Sequence, residues 1–178
     1  MKHKGTKQLE TNRLILRPFI LEDYKLFYKN WATDERVTRY MTWNPHQNIE
    51  ETKEWVTRWS NSYNKDNFYH WVIVLKEKNE PIGSMSIVDI NEEKEDVEVG
   101  YCISFDNWNK GLATEAFSKV IEYLFNEVEV KCVTASHDSR NIASGKVMEK
   151  CGLKYIETQD FVNKGENILL KVYKKNKE

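Results

Sequence analysis

The chain has 178 residues, with 27 Lys+Arg against 28 Asp+Glu, 40% hydrophobic and 12% aromatic content. That suffices for one domain with a full core, and the balanced charge leaves no cationic excess to neutralise a nucleic-acid backbone. Seven glycines and three prolines exclude a collagen-like or disordered chain, no apolar run reaches the roughly 18 residues of a membrane span, and the basic start Met1–Gln8 leads into no apolar signal region. A cytoplasmic protein with a single domain over residues 9–175 is expected.

In chain order, Arg13–Arg17 alternates as a strand and Pro18 closes it. Leu21, Tyr24, Phe27, Tyr28 and Trp31 fall at helical spacing. Asn48 caps a helix through Trp55 and Trp59 to about Ser62. Phe68–Leu75 and Ile82–Ile90 form a hairpin around Lys78–Pro81, and Val97–Phe105 is the next strand. Ala113, Ala116, Phe117, Val120, Ile121, Leu124 and Phe125 give a long amphipathic helix. Cys132–Ser136 is a strand, and Asn141 opens a helix that Gly152 stops. Tyr155–Ile156 and Ile168–Tyr173 are the last strands. The order predicts a mixed α/β sheet: an antiparallel meander followed by a right-handed, partly parallel crossover.

Cys102, Cys132 and Cys151 are odd in number and widely spaced, which reads as buried reduced thiols; no C-x₂₋₄-C pair suggests a metal site. The informative stretch is Asp106–Ala116, between a strand and the long helix. A helix N-terminus offers unpaired N–H groups and a partial positive charge, so it accepts an anionic phosphate. Gly111 lets the backbone approach closely, Ala113 keeps the first turn small, and Lys110 adds a cation. Neither a Walker loop nor a dinucleotide fingerprint is present. On spacing alone, Gly111 as a simple turn glycine and Asn141 as a simple N-cap, with Ser144 at N3, stand equally open.

Tyr101–Ser104 followed by Trp108–Ala116 resembles motif A of the GNAT N-acetyltransferases, [QR]-x-x-G-x-[GA], which cradles the pyrophosphate of acetyl-CoA. Leu9–Arg17, Asn141–Ser144 and Met148–Leu153 are similar to the RimJ/RimL-type branch, and the resemblance runs over residues 9–173. It implies a mostly antiparallel sheet with a central parallel strand pair splayed to hold CoA, flanked by helices on both faces. It also implies that the peptide groups of Asn109, Lys110, Gly111, Leu112, Ala113 and Thr114 hold the pyrophosphate. Tyr101, Cys102, Ile103 and Ser104 would pair with the pantetheine arm, and Asn141 and Ser144 would face its thiol end. Trp108 stands where the general pattern has Gln or Arg, and Met148 where many members carry a tyrosine that protonates the departing thiolate. Met cannot donate a proton, so Ser144 is the candidate acid.

The implied reaction is direct attack of a neutral amine on the acetyl thioester, with the oxyanion held by backbone N–H near Ile103. Glu98 is the candidate base, weighed against an exposed acidic strand residue, and His137 is a weaker one expected in a solvated loop. An α-amine is about a fifth neutral near pH 7.2 and a lysine amine about one part in a thousand, so the latter demands a stronger base. Trp43, Trp55, Trp59, Tyr69 and Trp71 lie where this family builds its acceptor wall, and about two of the five are expected to face the substrate. The expected partner is the amine acceptor, a protein N-terminus or a small amine, with no nucleic acid and no membrane and a homodimer left open. The alternative is a non-catalytic acyl-CoA-binding module that keeps the fold.

Overall fold

The computed structural model describes residues 1–178. Eight strands form one sheet in the order β1-β2-β3-β4-β5-β6-β8-β7. They are β1 (Leu9–Glu10), β2 (Leu14–Arg17), β3 (His70–Leu75), β4 (Glu80–Asn91), β5 (Asp96–Ile103), β6 (Cys132–Asp138), β7 (Lys154–Asn163) and β8 (Glu166–Asn176). Every pairing is antiparallel except β5 with β6. The helices are α1 (Tyr24–Phe27, between a 3₁₀ turn at Leu21–Asp23 and a π turn at Tyr28–Ala32), α2 (Glu35–Thr38), α3 (Ile49–Ser60), α4 (Leu112–Tyr123, running into a π turn at Leu124–Val128) and α5 (Ile142–Lys150). No helix is long and apolar enough to cross a membrane.

Two cores lie on opposite faces of the sheet. The larger unites the inward side chains of β2, β3 and β5 with Ala116, Phe117, Val120 and Ile121 of α4 and Met148 of α5. The period of those α4 residues makes one continuous apolar face, which the sheet buries. The smaller core joins Phe19, Phe27, Trp31 and Val56 to Val72, Val74 and Cys102 under α1 and α3. Asn48 caps α3 as expected, its side-chain oxygen accepting the Glu51 N–H at 2.9 Å. Gly152 ends α5 at φ 83°, its N–H donating to the Glu149 carbonyl and the Leu153 N–H to that of Met148.

Three elements differ from the sequence reading. The final strands form a long hairpin, because β7 extends to Asn163 and turns back through Lys164 and Gly165, both at positive φ. Its polar run Glu157–Asp160 carries no apolar alternation, since an edge strand needs only its ladder to β8. β1 and α2 are too short for a periodic signal; Asp34 caps α2 by accepting the Arg36 N–H at 2.9 Å. His137 lies inside β6 and is buried rather than in a solvated loop, as is Asp138 beside it.

Candidate active site

β5 and β6 pair in parallel only from Asp96↔Cys132 to Glu98↔Thr134. Beyond that point β5 runs on beside β4 while β6 stays with β8, so the two strands part. Peptide groups alternate in direction along a strand. The Ser104 N–H donates to the Ile82 carbonyl at 2.7 Å, on the β4 side. Ser104, Cys102 and Gly100 therefore turn their peptide groups to β4, and Val99, Tyr101 and Ile103 turn theirs into the gap. The sequence reading gave Tyr101–Ser104 one common role; the backbone divides them. Cys102 and Ser104 lack free peptide groups on that side, and the Cys102 thiol is buried near the Ser84 hydroxyl, with its pKa pushed up by burial.

The corner from β5 into α4 is braced from three sides. Trp108 Nε1 donates to the Ile103 carbonyl at 2.7 Å. Arg13 donates from Nη1 to the Lys110 carbonyl at 2.9 Å and pairs with Glu115 at 2.7 Å. Lys110 Nζ turns back onto the Asp106 carbonyl at 2.6 Å, so its side chain braces its own loop. Asn109 (φ 58°) and Gly111 (φ 74°) both take left-handed backbone, which turns the chain into the helix. The first intrahelical bond of α4 runs from the Glu115 N–H to the Gly111 carbonyl, leaving the N–H groups of Leu112, Ala113 and Thr114 without intrahelical partners. The Leu112 side chain is buried in the core, and Ala113 and Thr114 are partly exposed.

Asn141 caps α5, accepting the Ser144 N–H at 3.3 Å, which sets Ser144 over the parting strands. The Tyr101 hydroxyl lies 2.9 Å from Ser144 Oγ and donates to the Ser144 carbonyl at 3.0 Å, and its ring packs on Phe117. Burial pushes the Tyr101 phenol's pKa upward, so it stays a donor. This hydroxyl was missed in the sequence, where Tyr101 counted only for its peptide group. Met148 is fully buried in the core. On the opposite face of the sheet, the Glu98 carboxylate accepts from the Ser136 hydroxyl at 2.7 Å through one oxygen. The His137 ring faces Gly145 and Tyr173, donates to the Asp138 carbonyl at 2.7 Å through Nδ1 and is shifted down by burial. The Arg140 guanidinium, hydrogen-bonded to Asp138, holds that carboxyl below the usual range.

A cleft of about 770 Å³ connects Tyr101, Ser144, Glu98 and Ser136. Its floor carries Ser84, Ser86, Gly100, Glu98, Thr134 and Ser136, small or polar groups on the face bearing α1 and α3. Its wall is Trp43, Trp55, Trp59, Phe27 and His70, and the β7–β8 hairpin lies across from them. Tyr69 and Trp71, grouped with these tryptophans by sequence, are buried in the core under α4 instead. No cluster of His, Cys, Asp and Glu could hold a metal ion.

Residues 13–154 match the acetyltransferase (GNAT) domain model. The chain belongs to the GNAT family. It is 28% identical over 165 residues to an uncharacterized N-acetyltransferase, p20, of Bacillus licheniformis, covering 93% of this chain and 92% of that one. Among solved structures it is similar to a putative ribosomal-protein-serine acetyltransferase from Vibrio cholerae (TM-score 0.86, 17% identity, 98% and 99% of the two chains). It is also similar to the microcin C7 self-immunity acetyltransferase in complex with acetyl-CoA and AMP (TM-score 0.82, 17% identity, 93% of each chain). The family is that of acetyltransferases using acetyl-CoA. The splayed parallel pair and the uncapped α4 corner suit that co-substrate's arm and diphosphate.

Proposed function

We propose that this protein transfers an acetyl group from acetyl-CoA to a primary amine by direct attack in a ternary complex. One observation carries the reading: Ser144 reaches the strand gap from the α4–α5 face, while Glu98 reaches the same cleft from the α1–α3 face. A donor for the leaving sulfur and a base for the attacking nitrogen thus stand on opposite sides of one opening. The three buried, unpaired thiols support a reducing cytoplasm as the setting.

Leu112, Ala113 and Thr114 offer their N–H groups to the diphosphate, and the open peptide groups of Tyr101 receive the pantetheine amides as an added strand. Bound acetyl-CoA supplies an acetyl thioester whose C–S bond breaks as the amine nitrogen forms the new N–C bond. The free Glu98 oxygen takes the amine proton, directly or through a water, and Ser136 fixes the carboxylate's orientation. The Ile103 N–H donates to the developing oxyanion. Ser144, supported by Tyr101, hydrogen-bonds the departing thiolate. A thiol has a pKa near 8.5 and a phenol near 10, so full proton delivery from Tyr101 is uphill; the pair stabilises the leaving group rather than being required to protonate it.

Release of free CoA thiol, followed with an amine panel, tests the reading. Glu98→Gln is expected to lower kcat by about 10²–10⁴-fold while CoA affinity holds. An unchanged kcat would remove Glu98 from the mechanism.

A further inference from the structure

We propose that the acceptor is a small primary amine whose body is one aromatic or similarly bulky apolar group. This rests on the acetyltransferase reading above and adds the class of acceptor.

The cleft wall is a nearly unbroken row of rings. Trp43 and Trp55 are 5.9 Å apart at their centroids, Trp55 and Trp59 5.7 Å, and Trp59 and His70 4.1 Å, each pair edge to face. All three tryptophans are partly exposed into the cleft. The indole N–H groups of Trp71 and Trp108 donate to the carbonyls of Lys7 and Ile103, but those of Trp43, Trp55 and Trp59 make no bond within the protein. A half-exposed aromatic row with its donors unspent is a surface left for a ligand, since a purely structural row would close on itself.

The charges narrow the class further. The charged side chains lining the cleft are Asp96, Glu98, Asp138, Glu157 and Lys174. Lys174 sits in register with Thr134, at the closed end of the parallel pair, and Asp138 is held by Arg140. At the aromatic end His70 is kept neutral because burial lowers its pKa to about 3, and burial also lowers the pKa of His46, which packs on Trp43 and Trp55. Outside the lining residues, the Arg58 guanidinium lies 5.8 Å from the Trp55 ring centroid. An ammonium stacked on indoles alone recovers less than it loses in leaving water. An apolar body has no such loss, and its amine meets Glu98 at the floor.

The far side of the cleft is fastened. Lys164 Nζ, at the hairpin tip, donates to the Thr38 carbonyl at 2.8 Å, and Asn163 Nδ2 donates to the Met41 carbonyl at 3.2 Å. This seam ties the β7–β8 turn to the end of α2 and the residues after it, so the hairpin bounds the cleft across from the indoles and a compact amine fits between them.

The test compares 2-phenylethylamine, n-propylamine, spermidine, phenylalanine and a tripeptide with N-terminal alanine by CoA thiol release. It also titrates 2-phenylethylamine into the CoA complex while following tryptophan fluorescence. We expect kcat/KM for 2-phenylethylamine to exceed those for n-propylamine, spermidine and the tripeptide by at least about tenfold, with a saturable fluorescence change; phenylalanine reads whether a carboxylate beside the amine is tolerated. Trp55→Ala should raise KM for 2-phenylethylamine, and Trp55→Phe should restore most of the loss. Should Trp55→Ala fail to fold, Tyr40→Ala, at a partly buried ring that also lines the cleft, reads the same effect. Preference for spermidine, n-propylamine or the peptide overturns the inference and leaves the acetyltransferase reading standing. Binding of 2-phenylethylamine that depends on Trp55, without thiol release from any amine, upholds the pocket and removes that reading. No fluorescence response overturns the inference.

Discussion

Gly145→Ala sets helix propensity against packing. Gly145 is the fourth residue of α5 and is buried. On propensity alone the change should stabilise by about 0.8–1.0 kcal/mol. The added Cβ, however, would stand 2.7 Å from His137 Nε2 and 3.3 Å from the Tyr173 hydroxyl. The His137 ring is buried, tied through Nδ1 to the Asp138 carbonyl and packed 5.5 Å from the Tyr173 ring, so it has little room to yield. Overpacking of this kind costs about 1–3 kcal/mol. Packing thus wins, leaving a net loss of about 0–2 kcal/mol. Relief to an ordinary contact needs α5 to move out by about 0.7 Å. That takes Ser144 Oγ, now 2.9 Å from the Tyr101 hydroxyl, out of hydrogen-bond reach. Urea unfolding, with the midpoint read at constant m, should show equal or lower stability, and thiol release should slow. A stabilisation near 1 kcal/mol with unchanged turnover would refute the reasoning.

Gly111→Asp places a carboxylate at the α4 corner on left-handed backbone (φ 74°), close to where the diphosphate docks; calorimetry should show CoA binding lost with the far-UV spectrum retained. Ser144→Ala should slow kcat by no more than about tenfold, because a thiol leaving group near pKa 8.5 needs little help at neutral pH; a loss of several powers of ten would promote Ser144 to an obligatory acid. Stability should fall as pH drops below about 6.5, where the unfolded chain begins to bind protons that the buried rings refuse. His70, lowered to about 3, contributes up to about 1.4 kcal/mol per pH unit, with His46 and His137 shifted the same way by burial. Urea midpoints at pH 7.5 and 5.0 read this directly, and greater stability at pH 5.0 would contradict it. Asp23→Ala leaves Arg17 without its two hydrogen bonds of 2.8 and 2.9 Å and removes an acceptor for the Ile20 N–H, and should cost about 3–5 kcal/mol in the same assay.

What the sequence showed followed from periodicity and local capping. The α4 face, the Asn48 and Asn141 caps and the Gly152 stop are each set by residues close in the chain, as is the β3–β4 hairpin, although its turn falls at 76–79 rather than at Lys78–Pro81 because Glu80 and Pro81 pair with Leu75 and Val74. The parts it hid depend on distant partners. β7 has an exposed, polar pattern because only its ladder to β8 defines it, although Lys164-Gly165 was a turn signal within the chain. No spacing rule links Tyr101 to Ser144, or Asn163 and Lys164 to the end of α2 and the residues after it. Five aromatics clustered in sequence divide between core and cleft because β3 alternates: Tyr69 and Trp71 face α4, while His70 between them faces the acceptor side. The same alternation splits Tyr101–Ser104, and it became visible once the Ser104 N–H was seen to bond to Ile82.

A crystal structure with CoA bound tests the central claim most directly. The account expects the diphosphate against the amides of Leu112, Ala113 and Thr114, with the pantetheine arm in the gap that opens beyond Glu98 and Thr134. A diphosphate seated elsewhere, with that corner bare and the gap filled by protein side chains, would contradict it.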